Sequence, residues 1–249
     1  MAKKLIEIED FIKERSEDFY QHLAKRLPLG VWSMLNILVS KTQVYLFSGV
    51  IRNYFIQRKF DKLRDVDFII SDELDIELLF PNLTINKNSF GGYKLVIESI
   101  TIDLWIVKNT WALNQGQIKL PYKQLDHLPN TTFFNFSSII FSLNNKDFTI
   151  GKPFLRFLKY KKIDVVFEEN PYPGLCIVNS FYYSDKYHFK LSRKLVEYIL
   201  ANYEDNINDF ENIQIKHFGE IIYEKTYLNR RINELCSPSL PQASRLVVR

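Results

Sequence analysis

The sequence predicts an α+β protein: an N-terminal mixed β-sheet flanked by helices, followed by a C-terminal domain made of helices alone. Three observations carry that expectation. Short runs of β-branched and aromatic residues, some with two-residue alternation, cluster between 43 and 150. Helical apolar spacing precedes them and takes over from about 172 onward. Between the two regimes stands Gly151-Lys152-Pro153, a breaker triplet. The expected division is 1–160 for the sheet domain and 161–249 for the helical one.

In chain order, Leu5, Ile8, Phe11, Ile12, Phe19 and Leu23 predict one helix over 5–25, which Pro28-Leu29-Gly30 ends. A second helix is expected over 31–41. A strand at 43–47, a Ser48-Gly49 turn and a helix over 50–59 follow. The next strand is 65–70, then a short helix near 73–79. Strands are expected at 83–87, 92–99 and 100–107, with Gly91-Gly92 as a turn or bulge. Residues 136–150 read as strand–turn–strand around Asn144-Asn145, with a short helix as the alternative at their start. The C-terminal helices are placed at 172–183, 191–203, 205–216 and on to about 235, before a loop-like tail.

Composition excludes several classes. Hydrophobic residues make up 46% of the chain, enough for a full core, so global disorder is excluded. The formal net charge of +4 permits contact with nucleotides or RNA without demanding it. No apolar run reaches membrane-spanning length, and the charged N-terminus does not resemble a secretory signal. Cys176 and Cys236 lie in unrelated contexts, which fits a reduced cytoplasmic protein. The four histidines show no metal-ligand spacing with each other or with cysteine.

Chemistry concentrates in carboxylates. Asp65 and Asp67 stand two apart on one strand and so share a face, while Val66, Phe68 and Ile70 take the other. Two carboxylates on one face repel unless a cation lies between them, and Mg²⁺ accepts such oxygens readily. Asp103 is the only charge in Ser99–Val107 and faces away from Ile100, Ile102, Leu104 and Ile106. A strand edge reaching water accounts for it equally well at this point.

The order of these features is specific. A strand, then Ser48-Gly49-Val50-Ile51-Arg52-Asn53, then a helix, then Asp65-Val66-Asp67, then Asp103, resembles the DNA polymerase beta-like nucleotidyltransferase superfamily. In detail it is similar to the head domain of class II CCA-adding enzymes and bacterial poly(A) polymerases, whose signature reads G-G-x-V-R-D, then D-x-D. Residues 167–199, with Glu169-Asn170-Pro171 and Lys186-Tyr-His-Phe189, resemble the neck of that family. The similarity covers about 43–200.

The resemblance implies a metal-dependent transfer of a nucleoside monophosphate from an NTP to an acceptor hydroxyl, with release of pyrophosphate. It implies Asp65, Asp67 and Asp103 as catalytic and metal-binding residues for two Mg²⁺ ions, with Mn²⁺ as a substitute, about 3.5–4 Å apart. It also implies Ser48, Gly49, Arg52 and Asn135 as nucleotide-binding residues, the glycine turn letting a triphosphate approach the helix amides. RNA of the tRNA type is the favoured acceptor, with protein and small molecules as the others; a homo-oligomer is compatible.

The sequence also departs from the pattern. Ser48 replaces the first glycine and Asn53 the aspartate after the arginine. Residues 131–140 lack the arginines and aspartate of an R-R-D-F-T-I-N-A block. Asn170 and Asn179 stand where relatives use Asp and Arg to read the base. The stretch between Arg52 and Asp65 is longer and carries Arg58, Lys59, Lys62 and Arg64. These departures define the alternative, an inactive nucleotidyltransferase-fold module that binds nucleotide or RNA.

Overall fold

A computed structural model describes residues 4–47, 49–57, 63, 65–87, 92–110, 113 and 125–236. The chain divides into two compact units, 1–170 and 171–249. The first holds helices α1 (Leu5–Lys13), α2 (Ser16–Arg26) and α3 (Leu29–Val39), then strand β1 (Val44–Phe47) and helix α4 (Gly49–Gln57). Strand β2 (Asp65–Ile70), helix α5 (Ile76–Leu79) and strands β3 (Ile85–Lys87), β4 (Tyr93–Ile97) and β5 (Ile100–Ile106) follow. Strands β6 (Ile139–Ser142) and β7 (Asp147–Ile150) and helix α6 (Lys152–Tyr160) complete it.

Seven strands form one sheet in the order β3-β4-β5-β2-β1-β6-β7. It is mixed: β2 and β5 run parallel, and the other named pairs are antiparallel. Alternation decides its two faces. On one face Leu46, Phe68, Leu104, Phe141 and Phe148 are buried. Phe19 of α2 lies edge-on against Phe141, ring centroids 4.9 Å apart, and 5.1 Å from Phe148. Burial of these aromatic side chains is the main driving force for seating the N-terminal helices.

The structure breaks the expected helix over 5–25 into α1 and α2. Arg15 leaves helical geometry at φ −94°, ψ 8°. A helix not expected from the sequence, α6, starts at the Gly151-Lys152-Pro153 breaker, with Pro153 in its first turn. Proline there costs no hydrogen bond, because the first helical N–H groups lack partners anyway. Phe154, Leu155 and Phe157 bury its inner face. The start of 136–150 does carry a short turn of 3₁₀ helix, Asn135–Ser137. Residues 161–170 stay with the first unit, later than the boundary expected at 160. Their backbone bonds back to it, Asn135 N–H to Asp164 O at 3.0 Å and Val166 N–H to Phe133 O at 2.7 Å.

β4 and β5 form a hairpin whose two turn residues, Glu98 and Ser99, both have positive φ, 48° and 68°. That geometry matches the twist of the flanking strands. The Glu98 carboxylate accepts a 2.7 Å bond from Gly30 N–H at the start of α3. On the other side Asn144 ties the β6–β7 turn to β1. Its Oδ1 accepts from Val44 N–H at 2.8 Å and its Nδ2 donates to Thr42 O at 3.0 Å.

The second unit contains α7 (Pro173–Tyr187), α8 (Arg193–Asn206), α9 (Phe210–Phe218) and α10 (Lys225–Cys236), close to the four helices expected. Ile177, Phe181, Leu195, Ile199, Phe210 and Leu228 make its core. Asp185 of α7 locks α10 in place: Arg231 donates to it at 2.7 Å, Tyr223 OH at 2.8 Å and Tyr227 OH at 3.1 Å. Among the described residues no helix is long and apolar enough to cross a membrane.

Gly151 gives a direct test of the packing between α6 and the sheet. A Cβ there would lie 2.1 Å from Ser138 Oγ and 2.8 Å from the Ser138 carbonyl oxygen. Gly151→Ala is expected to lower the unfolding free energy by about 1–3 kcal/mol, as for other overpacked sites. Urea denaturation would measure it, and an unchanged midpoint would show that the Ser138 backbone gives way freely.

Candidate active site

The face of the sheet opposite the N-terminal helices carries the candidate site. Strand register sets it. β2 and β5 pair with Asp67 directly beside Asp103 and Asp65 beside Thr101. β4 places Lys94 beside Asp103, and β1 places Phe47 beside Asp67. One cross-strand row therefore reads Lys94, Asp103, Asp67, Phe47 and Ile140. Asp65 lies in the adjacent row and is exposed, whereas Asp67 and Asp103 are half-buried.

Beyond Asp67 the same face turns apolar. Tyr45, Ile69, Val107, Leu128 and Ile140 form a buried cluster, with Phe47 and Trp105 packed against it. Strand alternation puts Phe47, Ile69 and Trp105 of this cluster on the same face as Asp67 and Asp103. Burial, first of all, then the charges of Asp103 and Asp65, push the Asp67 carboxyl up to about 7. The positive charges of Arg52 and Lys94 oppose that rise. Asp103 is also raised, chiefly by burial, and Lys94 works against it. Lys94 Nζ lies 3.7 Å from Asp103 Oδ1.

The turn after β1 completes the arrangement. Phe47, the last residue of β1, is level with Asp67, and α4 begins two residues later at Gly49. A Cβ added at Gly49 would meet only Arg52, at 3.9 Å, an ordinary contact. Among the described residues, packing therefore does not demand glycine at this turn. Arg52 is buried, with its guanidinium carbon 5.0 Å from the Phe136 ring centroid. Its Nε donates to Asn53 Oδ1 at 3.2 Å. Ser48, Arg58, Lys59, Lys62, Arg64 and Gly91 lie outside the described residues.

Asn135, expected to bind nucleotide, has its side-chain amide engaged within the fold. It is buried, its Nδ2 donates to Lys162 O at 2.9 Å, and its Oδ1 accepts from Asp164 N–H at 3.0 Å. Both ends of the amide are used to pin 162–164, so Asn135 is a clamp of the fold.

The expected three-carboxylate metal set is also split. Among the described residues no group of three His, Cys, Asp or Glu side chains is disposed to hold a metal ion by itself. What the fold supplies is a pair, Asp67 and Asp103, with Asp65 at the rim. That pair still suits Mg²⁺, which is commonly held by one or two carboxylates while substrate phosphates and water complete its shell.

No family model matches the sequence, and no curated protein matches it either. Solved structures do match in fold. A CCA-adding enzyme in complex with CTP superposes with a TM-score of 0.61 at 14% identity, over 87% of this chain and 54% of that one. The chain has the fold of the CCA-adding enzymes. The Thermotoga maritima CCA-adding enzyme complexed with tRNA gives 0.60 at 16% identity, over 87% and 53%. A tRNA nucleotidyltransferase with a primer tRNA and an ATP analogue gives 0.56 at 18%, over 79% and 58%. The chain spans about half the length of these CCA-adding enzyme structures.

Asp67 gives the site a pH signature. A carboxyl whose pKa is raised on folding binds its proton more tightly folded than unfolded. Ionising it therefore weakens the fold as pH climbs from about 4 through 7. Asp67→Asn is expected to be more stable than wild type at pH 8, by up to about 4 kcal/mol, with the gain fading toward pH 4. Thermal melts across that range check it. A variant destabilised equally at both ends would mean that Asp67 is held by native bonds rather than strained.

Proposed function

We propose that this chain is a nucleotidyltransferase that moves a nucleoside monophosphate from an NTP to an acceptor hydroxyl on RNA of the tRNA type. The observation that carries the reading is the row Asp103–Asp67–Phe47, in which Phe47 closes β1 two residues before the N-terminus of α4. Proteins of the same fold have been solved with CTP, ATP and tRNA, which supports nucleotide and RNA as partners. The cytoplasm, where NTPs and tRNA meet, is the compartment that fits.

The chain's own groups divide the work. The first N–H groups of α4 bind the triphosphate oxygens, aided by the helix dipole. Arg52, buried behind the turn, supplies fixed positive charge to that anion. Asp67 and Asp103 would hold Mg²⁺, and Asp65 would add negative charge at the rim. When bound, that ion supplies Lewis-acid stabilisation of charge on the reacting and leaving phosphates. Asp103 takes the proton from the acceptor hydroxyl. The acceptor oxygen forms its bond to the α-phosphorus as the α–β phosphoanhydride bond breaks and pyrophosphate leaves.

One observation favours the alternative of a binding module without turnover. The Lys94 ammonium already neutralises part of the charge at Asp103. Label transfer separates the two. Each α-labelled NTP is incubated with Mg²⁺, RNA and the protein, and pyrophosphate is measured in parallel. Label on RNA is expected, falling about 10²–10³-fold in Asp67→Asn and in Asp103→Asn. Nucleotide binding without label on any acceptor would support the module instead.

A further inference from the structure

Lys94 was not legible as a site residue, yet it stands at the end of the carboxylate row. Its side chain is 53% exposed and that of Asp103 only 23%. The ammonium reaches inward over the rim of the site to a partly dehydrated carboxylate. At 3.7 Å the pair is longer than a charge-assisted hydrogen bond, about 2.7–2.9 Å. It is held by charge rather than by fixed geometry, and a long lysine stem can swing away at little cost. Asn86, the next residue along the row on β3, is uncharged and does not compete for the ammonium.

We propose that Lys94 is a tethered counter-ion that occupies Asp103 in the empty site and lowers its affinity for free divalent cations. The inference rests on the reading of Asp67 and Asp103 as a cation-binding pair. A divalent ion approaching Asp103 must displace the ammonium and then sit beside its charge. A triphosphate changes that balance, because its oxygens offer the ammonium a second anion. Cation and nucleotide then favour each other's binding, and by linkage the preference is reciprocal. Lys94 thereby disfavours idle metal binding and favours entry of the metal–nucleotide pair.

Mn²⁺ binding without nucleotide, followed by the electron paramagnetic resonance of the free ion, tests this on wild type and variants. Lys94→Gln is expected to bind Mn²⁺ about fivefold more tightly than wild type, the scale of a partly exposed ion pair. Lys94→Arg keeps the charge and is expected to stay within about twofold of wild type. Equal affinities for wild type and Lys94→Gln, with binding that Asp67→Asn abolishes, would overturn the role of Lys94 and leave the carboxylate pair standing. No Mn²⁺ binding that depends on Asp67, in wild type or in Lys94→Gln, would overturn both readings. Tighter binding in Lys94→Arg as well would place the effect in side-chain shape and overturn the counter-ion.

Discussion

The parallel pairing of β2 with β5 is the constraint from which the rest follows. It sets Asp67 and Asp103 on neighbouring strands, roughly 4.8 Å apart at the backbone. Like charges do not choose that spacing; the opposite face of the same strands imposes it. Val66, Phe68, Ile102 and Leu104 are all buried. A slip of one residue in either strand would send its two to the outer face and its aspartate toward the core. The core thus fixes the register, and the register holds two carboxylates together.

Such a pair needs positive charge, and the fold brings it from two sides. Arg52 comes from α4, buried on Phe136 and close enough to act on Asp67. Lys94 comes from β4, along the strand register. Arg52 is buried, and the Lys94 side chain is 53% exposed. The apolar cluster beyond Phe47 lies on the same face as the carboxylates, where burial raises the Asp67 carboxyl. On the proposed function, an anionic substrate that carries its own metal brings positive charge to the carboxylates.

Much of this was legible because two-residue alternation is strict. Asp65, Asp67 and Asp103 declared their shared face by being the polar members of otherwise apolar strands. Which of them meet was not legible, since β2 and β5 are joined by a long crossover that sets no register. Lys94 was hidden for a related reason. Counting back from a two-residue turn at Glu98-Ser99 pairs it with Asp103, but neither residue is the glycine or asparagine that marks such turns. The structural use of Asn135 was not legible either, since its bonds to 162–164 span residues far apart in sequence. Helix α6 was masked by its own first turn, where Gly151 and Pro153 read as a linker although they begin a helix.

The central claim is that Asp67 and Asp103 share a cation brought by a triphosphate lying over the Gly49 turn. Crystals grown with Mn²⁺ and a non-hydrolysable nucleoside triphosphate would test it, through the anomalous signal of manganese. The account predicts a manganese peak touching both carboxylates, with the phosphates against the first amides of α4. A nucleotide bound with its phosphates away from that turn, or manganese absent from Asp67 and Asp103, would contradict it.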